Sequence, residues 1–484
     1  MQPMLGERLI MKKKKLFWII FSIVLLVKGV LMFPGLEQST DFSLYKTRRN
    51  ELIKAIGKEF PTIKKGAVLL FGDFEHDRLV FRQESSFYYL TGIEEPGVVL
   101  LLDLQGKATL YVPNVAAKRA QWMASTIELS SNNASRLGFD EITNLGHECE
   151  GYQIHPFFPR AEYEVLLAKI QSMVYSGEKL FVLSPANAYE YIGSRLMLER
   201  LASYIPDLKD SFVDISSLVA QQRRIKDMHE IECLYKAVEI TAMAQEAAAQ
   251  AIGDGVLECE VQAGIEYIYT ATGGRKGFPS IVGSGKNTTV LHYVVNSGTM
   301  KNGDLVVVDI GAAWNNYCAD LTRTYPVSGQ FTERQKEIYN LVLATQEYIA
   351  GIAKPGYWLK NPEHPEKSLH HLAHKYLKEH GGYDIFFVHG LGHYLGLDVH
   401  DVGDYTKPLQ EGDVFTIEPG IYIPAERIGV RIEDDYWVVK DGVICLSESL
   451  PKKAEDIEAL VQQNFSNPDE QPVEGFQEEE LGES

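Results

Sequence analysis

Two stretches of the sequence carry acids where strand-core residues are expected. Leu305-Val306-Val307-Val308-Asp309-Ile310 is an apolar, buried-type strand with a carboxylate in it; after residues 311–316 comes Tyr317-Cys318-Ala319-Asp320-Leu321-Thr322. A hairpin centred between Trp314 and Asn315 sets Asp309 opposite Asp320. Facing residues of an antiparallel pair hold their Cβ atoms roughly 4.5–5.5 Å apart, and two carboxylates that close raise each other's pKa unless a cation lies between them. The pattern recurs downstream. Residues 415–422 contain Glu418 and residues 429–434 contain Glu433; a hairpin centred between Ala425 and Glu426 pairs the two.

Between these hairpins lies His389-Gly390-Leu391-Gly392-His393-Tyr394-Leu395-Gly396-Leu397-Asp398-Val399-His400-Asp401. Its glycines mark places where backbone must approach something closely. One histidine in such a setting reads as a satisfied core residue. Three histidines beside four strand acids read as a metal site. Four carboxylates and one imidazole, without thiolate, suit a hard or borderline divalent ion such as Mn²⁺. Five ligands with acids able to bridge suggest two ions, an arrangement that activates water for hydrolysis.

These residues need elements to hold them. From about residue 40 to 217, short apolar runs at 67–71, 98–103, 108–112 and 180–183 alternate with helical patterns such as 161–174, which predicts an α/β domain. Ile225, Met228, Ile231, Leu234, Tyr235, Val238 and Ala242 then recur at helical spacing, predicting a helix over 225–251 that opens a second domain over 222–460. Strand–turn signals at Asn302-Gly303, Asn315-Asn316 and Pro419-Gly420, mixed with helices over 333–350 and 369–380, make this domain α+β, with antiparallel hairpins rather than a doubly wound sheet.

The chain of 484 residues is long enough for two or three domains, and its 45% apolar and 23% charged residues are a globular balance. A net charge of −19 argues against nucleic acid as a partner. Five scattered cysteines, with no CxxC, argue against a disulfide framework and a structural zinc. Residues 1–35 form a leader in which Lys12-Lys13-Lys14-Lys15 precedes an apolar run at 16–33, the layout of a secretory signal or signal anchor. No A-x-A-like site follows it. An exported or membrane-anchored protein is expected, with its catalytic domain outside the cytoplasm, membrane association through 16–33, and a homo-oligomeric state. Residues 465–484 read as a disordered acidic tail.

At the acid and histidine stretches the sequence resembles the metal-dependent peptidases of the aminopeptidase P and prolidase family, which share the pita-bread fold. The matching segments are IVGSGKNTTVLHY (281–293), residues 303–331, HGLGHYLGLDVHDVG (389–403), TIEPGIY (416–422) and GVRIEDD (429–435); FYYLTGIEEPG (87–97) resembles the family's amino-terminal domain. The resemblance implies that Asp309, Asp320, His393, Glu418 and Glu433 hold two metal ions, usually manganese, with a bridging hydroxide. It makes Glu418 the general base. It sets His292 at the tetrahedral intermediate and His400 at the substrate backbone, with His389 and Arg431 lining the site. It implies release of an N-terminal residue from peptides with proline second, where a site shaped around the ring meets no N–H. A prolidase restricted to Xaa-Pro dipeptides shares every ligand; the short link between His400 and Glu418 looks more like the aminopeptidase pattern. A binding module on a dead peptidase fold is the third reading, and its expected signature is ligand loss.

Overall fold

The computed structural model describes residues 41–463 apart from 77–78, 116–126, 150–158 and 187–190. The leader and the acidic tail lie outside the described residues, and no described helix is long and apolar enough to cross a membrane. The chain divides into two compact units between Lys226 and Asp227, with residues 402–404 grouped with the first.

The first unit runs α1 (Ser43–Glu59), β1 (Gly66–Phe71), α2 (Ser85–Thr91), β2 (Val99–Asp103), β3 (Ala108–Val112), α3 (Ser131–Arg136), β4 (Glu141–Asn144), α4 (Glu164–Tyr175), β5 (Lys179–Val182), α5 (Ile192–Ala202), β6 (Phe212–Asp214) and α6 (Ser216–Arg224). Its strands form one sheet in the order β4-β3-β2-β1-β5-β6. Neighbours β1–β2 and β2–β3 are antiparallel, whereas β4, β5 and β6 join in parallel. Every residue of β1 is buried, as a central strand covered on both faces requires.

The second unit begins with α7 (Met228–Ala251) and α8 (Glu258–Ala271). Helix α7 starts three residues later than its apolar stripe predicts. The Asp227 carboxylate accepts from Glu230 N at 2.9 Å and the Glu230 side chain accepts from Asp227 N at 3.0 Å, a reciprocal cap that leaves Ile225 extended. There follow β7 (Arg275–Lys276), β8 (Ile281–Ser284), β9 (Leu305–Ile310), β10 (Ala312–Trp314), β11 (Tyr317–Cys318) and β12 (Leu321–Pro326). Helices α9 (Glu333–Ile352) and α10 (Leu369–Glu379) lead to β13 (Val414–Ile417), β14 (Gly420–Ile423), β15 (Ile428–Arg431), β16 (Asp434–Val439), β17 (Gly442–Cys445) and α11 (Ala454–Gln462). Every strand pairing in this unit is antiparallel. One core joins Val306, Val308 and Ile310 of β9 to Ala244 and Ala248 of α7, Ile265 of α8, Ile338 and Val342 of α9, and Ile457 of α11. Because side chains alternate along a strand, Asp309 is left on the face away from Val308 and Ile310.

The two hairpins compare differently with their expected registers. In the second, Gly420 faces Arg431 and Ile417 faces Asp434, so both ladders keep the register that places Glu418 across from Glu433. In the first, Asp309 faces Thr322 and not Asp320, two residues away from expectation. The cause is the turn. Asn315 and Asn316 adopt φ of 47° and 68°, forming a two-residue loop between paired Trp314 and Tyr317. Asparagine tolerates this left-handed pair, which matches strand twist.

Candidate metal centre

In an unbroken ladder this two-residue shift would keep Asp320 on the face of Asp309 and Thr322 but set it opposite Gly311. The ladder is broken there instead. Residues 319 and 320 belong to neither β11 nor β12, and Asp320 N donates to Asp435 Oδ2 at 3.1 Å rather than to a strand partner. Gly311, between β9 and β10, lies so close to this break that a Cβ would collide with the Ala319 carbonyl. Glu418 and Glu433 also sit at gaps, the first between β13 and β14, the second between β15 and β16. Glu433 N donates to Thr322 O at 3.1 Å, which brings the two hairpins side by side.

His393 comes to the same place on an irregular segment. Thr416 N donates to its carbonyl at 2.9 Å, so the segment lies along β13. Its Nδ1 donates to Tyr394 O at 3.1 Å, which leaves Nε2 as the free lone pair. That nitrogen lies 3.4 Å from Asp320 Oδ2 and 3.6 Å from Glu418 Oε1. A ring fixed by a backbone carbonyl on one nitrogen, with the other presented to carboxylates, is how metal-binding imidazoles are held. Among the described residues, Asp320, His393 and Glu433 bring ligand-type atoms within 4.8 Å of one another.

The electrostatics of the group call for a cation. Burial first, then Asp309, Asp435 and Glu418, pushes the Asp320 carboxyl well above the usual range. Burial and the neighbouring Asp320, Glu418 and Asp309 do the same to Glu433. Burial raises Glu418 to about 7 against the opposing pull of His393 and Arg431. Asp309 Oδ1 and Asp320 Oδ1 are buried with no hydrogen-bond partner. Orphaned carboxylate oxygens crowded with like charge are costly without a positive ion between them. The donor set therefore fits divalent metal.

A second tier of residues orients this group. The Arg431 guanidinium donates to Asp309 Oδ2 at 2.6 Å, to Thr322 Oγ1 at 3.2 Å and to Tyr422 OH at 2.8 Å. Thr322 Oγ1 in turn donates to Glu433 Oε2 at 2.7 Å. His389 Nδ1 donates to Gly390 O at 2.8 Å, and its Nε2 accepts from Tyr422 OH at 3.0 Å. Burial and Arg431 hold His389 at about 3, so this ring is neutral. Its Nδ1 also stands 3.5 Å from Glu418 Oε2. His400 packs its ring 4.1 Å from that of His393; desolvation, His393 and His292 pull it down to about 4. His292 is exposed and lies near enough to influence both His389 and His400.

Thus Asp309, Asp320, His393, Glu418, Glu433, Arg431, His389 and His400 converge, with His292 at the margin. Thr322, Tyr422 and Asp435 belong to the same constellation but were not singled out by their types. Asp435 stands in an acidic pair with Asp434 and Thr322 faces Asp309, so the true register was the signal that could have found them. Two buried helix glutamines are equally silent in sequence. Gln245 of α7 donates to Val308 O at 3.1 Å and Leu321 O at 2.7 Å. Gln346 of α9 donates to Ile417 O at 3.1 Å and Ile432 O at 3.3 Å. Each carbonyl is next in sequence to one of the four acids.

Comparison with known proteins agrees with this construction. Residues 232–440 match the metallopeptidase family M24, and residues 45–147 match the aminopeptidase P N-terminal domain. The chain is 32% identical over 426 residues to a Xaa-Pro aminopeptidase of Haemophilus influenzae, covering 82% of this chain and 93% of that relative. It is 28% identical to a Xaa-Pro dipeptidase of Homo sapiens, covering 87% and 93%. A zinc-substituted Escherichia coli aminopeptidase P in complex with product superposes with a TM-score of 0.70 at 29% identity, covering 88% of this chain and 99% of that one. With Asp320, Glu418 and Glu433 at the breaks of paired hairpins and Asp309 and His393 beside them, the chain belongs to the aminopeptidase P and prolidase family of M24 metallopeptidases.

Proposed function

We propose that this protein is a Xaa-Pro aminopeptidase, a metallo-exopeptidase that hydrolyses the bond between the first residue and a proline in second position. The convergence of four acids on His393, with two buried carboxylate oxygens lacking partners, carries this reading. Asp309, Asp320, His393, Glu418 and Glu433 would hold two divalent ions, most fittingly Mn²⁺. Bound ions supply a Lewis acid and lower the pKa of water.

The chain's own residues do the rest. Glu418 accepts a proton from the attacking water and passes it to the proline nitrogen as the C–N bond breaks. His292 donates to the oxygen that gains charge at the carbonyl, and His400 contacts the peptide backbone. Arg431 holds Asp309 in place through its guanidinium bond to Oδ2. Neutral His389, braced by Tyr422, lines the site beside Glu418.

The test is incubation of the purified full chain plus Mn²⁺ with Xaa-Pro and Xaa-Pro-Yaa peptides. Release of the first residue from the tripeptides supports the reading. Cleavage of dipeptides alone would make the protein a prolidase. Stoichiometric metal binding without cleavage of either would make it a binding module. We further place the catalytic unit outside the cytoplasm as a homo-oligomer, held or addressed by residues 1–35; recovery of the full chain from the cytosolic fraction would overturn that placement.

A further inference from the structure

His292 is carried by residues 285–297, a segment that leaves β8 and has few bonds of its own around the histidine. Both ends of this segment are tied to one side chain. Glu258, the first residue of α8, is fully buried. Its Oε1 accepts from Ser284 N and Ser284 Oγ, both at 2.7 Å, and from Asn287 Nδ2 at 3.0 Å. Its Oε2 accepts from Gly298 N at 2.6 Å, while Glu258 N donates back to Gly298 O at 3.0 Å. A Cβ at residue 298 would lie 2.7 Å from Glu258 Oε1, so only glycine lets the backbone come this close. Burial alone would raise the Glu258 carboxyl, but the bonds from Asn287, Ser284 and Gly298 outweigh it and hold the group below the usual range.

A second tie reinforces the returning end. Asn296, at φ 47°, donates to Ser280 O at 2.8 Å and to Gln262 Oε1 at 2.9 Å, and accepts from Val282 N at 3.0 Å. Between the ties, His292 and the side chains of Val290, Val294 and Val295 stand exposed. The shape of the segment is thus imposed from its ends. We propose that Glu258 is a positioning residue for Xaa-Pro cleavage, closing residues 285–297 into the one shape that presents His292 to the peptide. This rests on the role given to His292 above.

Glu258→Gln tests it. The amide keeps the volume but turns an N–H₂ toward N–H or O–H donors, so at least one bond is lost. Misplacement of a reacting group by about 1 Å costs roughly 100-fold, so kcat should fall about 10–100-fold, toward the level of His292→Ala, with Mn²⁺ content unchanged. Amide hydrogen exchange over 289–295 should quicken while β9 and α7 keep their protection. In the His292→Ala background the same substitution should change kcat little, because the two act through one route. Glu258→Asp, which keeps the charge but shortens the reach, should fall between parent and Gln and serves if the Gln variant does not fold. Unchanged exchange over 289–295 in both variants would overturn the clasp itself. An equal fall of kcat with and without His292 would overturn its link to the histidine. A parent enzyme inactive on every Xaa-Pro peptide would instead remove the functional reading while leaving the exchange result to judge the clasp.

Discussion

Gln245→Met should weaken metal binding from a distance. The side chain of Gln245 makes three buried bonds: Nε2 to Val308 O and Leu321 O, and Oε1 from Tyr325 OH at 3.0 Å. A buried hydrogen bond contributes about 1 kcal/mol net, and more where a partner is left unsatisfied. Methionine fills the same volume, so the loss is about 3 kcal/mol with little cavity cost. For a unit of this size that lowers Tm by about 6–12 °C. The freed carbonyls neighbour Asp309 and Asp320, so the spacing of those carboxylates should loosen as well. The assay is thermal unfolding of the metal-stripped variant across a Mn²⁺ titration. Metal that binds only the folded state stabilises by RT ln(1 + [L]/Kd). A pure stability defect lowers every Tm equally, whereas a positioning defect also moves the titration to higher Mn²⁺. Gln346→Met should do the same through Glu418 and Glu433. A lowered Tm with an unmoved Mn²⁺ midpoint in both variants would refute the link between these glutamines and the acids.

Glu418→Gln should lower kcat by about 100-fold or more while the protein stays folded and keeps some metal, because an amide offers an oxygen but takes no proton; near-normal turnover would remove Glu418 as the base. His393→Ala should need far more Mn²⁺ for activity than the parent, whereas His400→Ala should raise KM for peptide at unchanged metal demand; identical metal titrations would refute that division. Asp320, Glu418 and Glu433 all have raised pKa values in the metal-free fold, so their contribution to its stability is fully present below the ordinary carboxylate range and is lost as pH rises, toward about 7 for Glu418. Metal binding demands the ionised forms, so the Tm gain from saturating Mn²⁺ should widen steadily from about pH 5 to about pH 8. A gain independent of pH, read by scanning calorimetry, would contradict this.

Much of this architecture was legible because apolar periodicity dictates it. The strand at 108–112 and the start of the helix at Glu333 appear where the pattern sets them. Helix α7 begins late because a cap outranks an apolar stripe. The second acid pair was legible because its hairpin holds one register through a gap. The first was misaligned by two residues because a pair of asparagines can fold back with no glycine. Gln245 and Gln346 could not be read at all. Their roles are hydrogen bonds to residues distant in sequence, and nothing in a glutamine announces the carbonyl it will meet.

The breaks in the ladders explain why the acids can converge. In a continuous antiparallel pair, facing residues are locked at one separation and alternate residues point away. Four carboxylates on two such pairs would stand as two separate couples. Here Asp320, Glu418 and Glu433 all lie where pairing lapses, and the Thr322–Glu433 bridge draws the two hairpins together. Released from the pleat, each acid is free to turn toward His393. Gln245 of α7 and Gln346 of α9 donate to the carbonyls beside the acids and so hold the backbone at each gap. Irregularity at the ligands and a donor from the covering helix are therefore two halves of one device. The strand supplies the approach, the gap supplies the aim, and the glutamine anchors the backbone beside the gap.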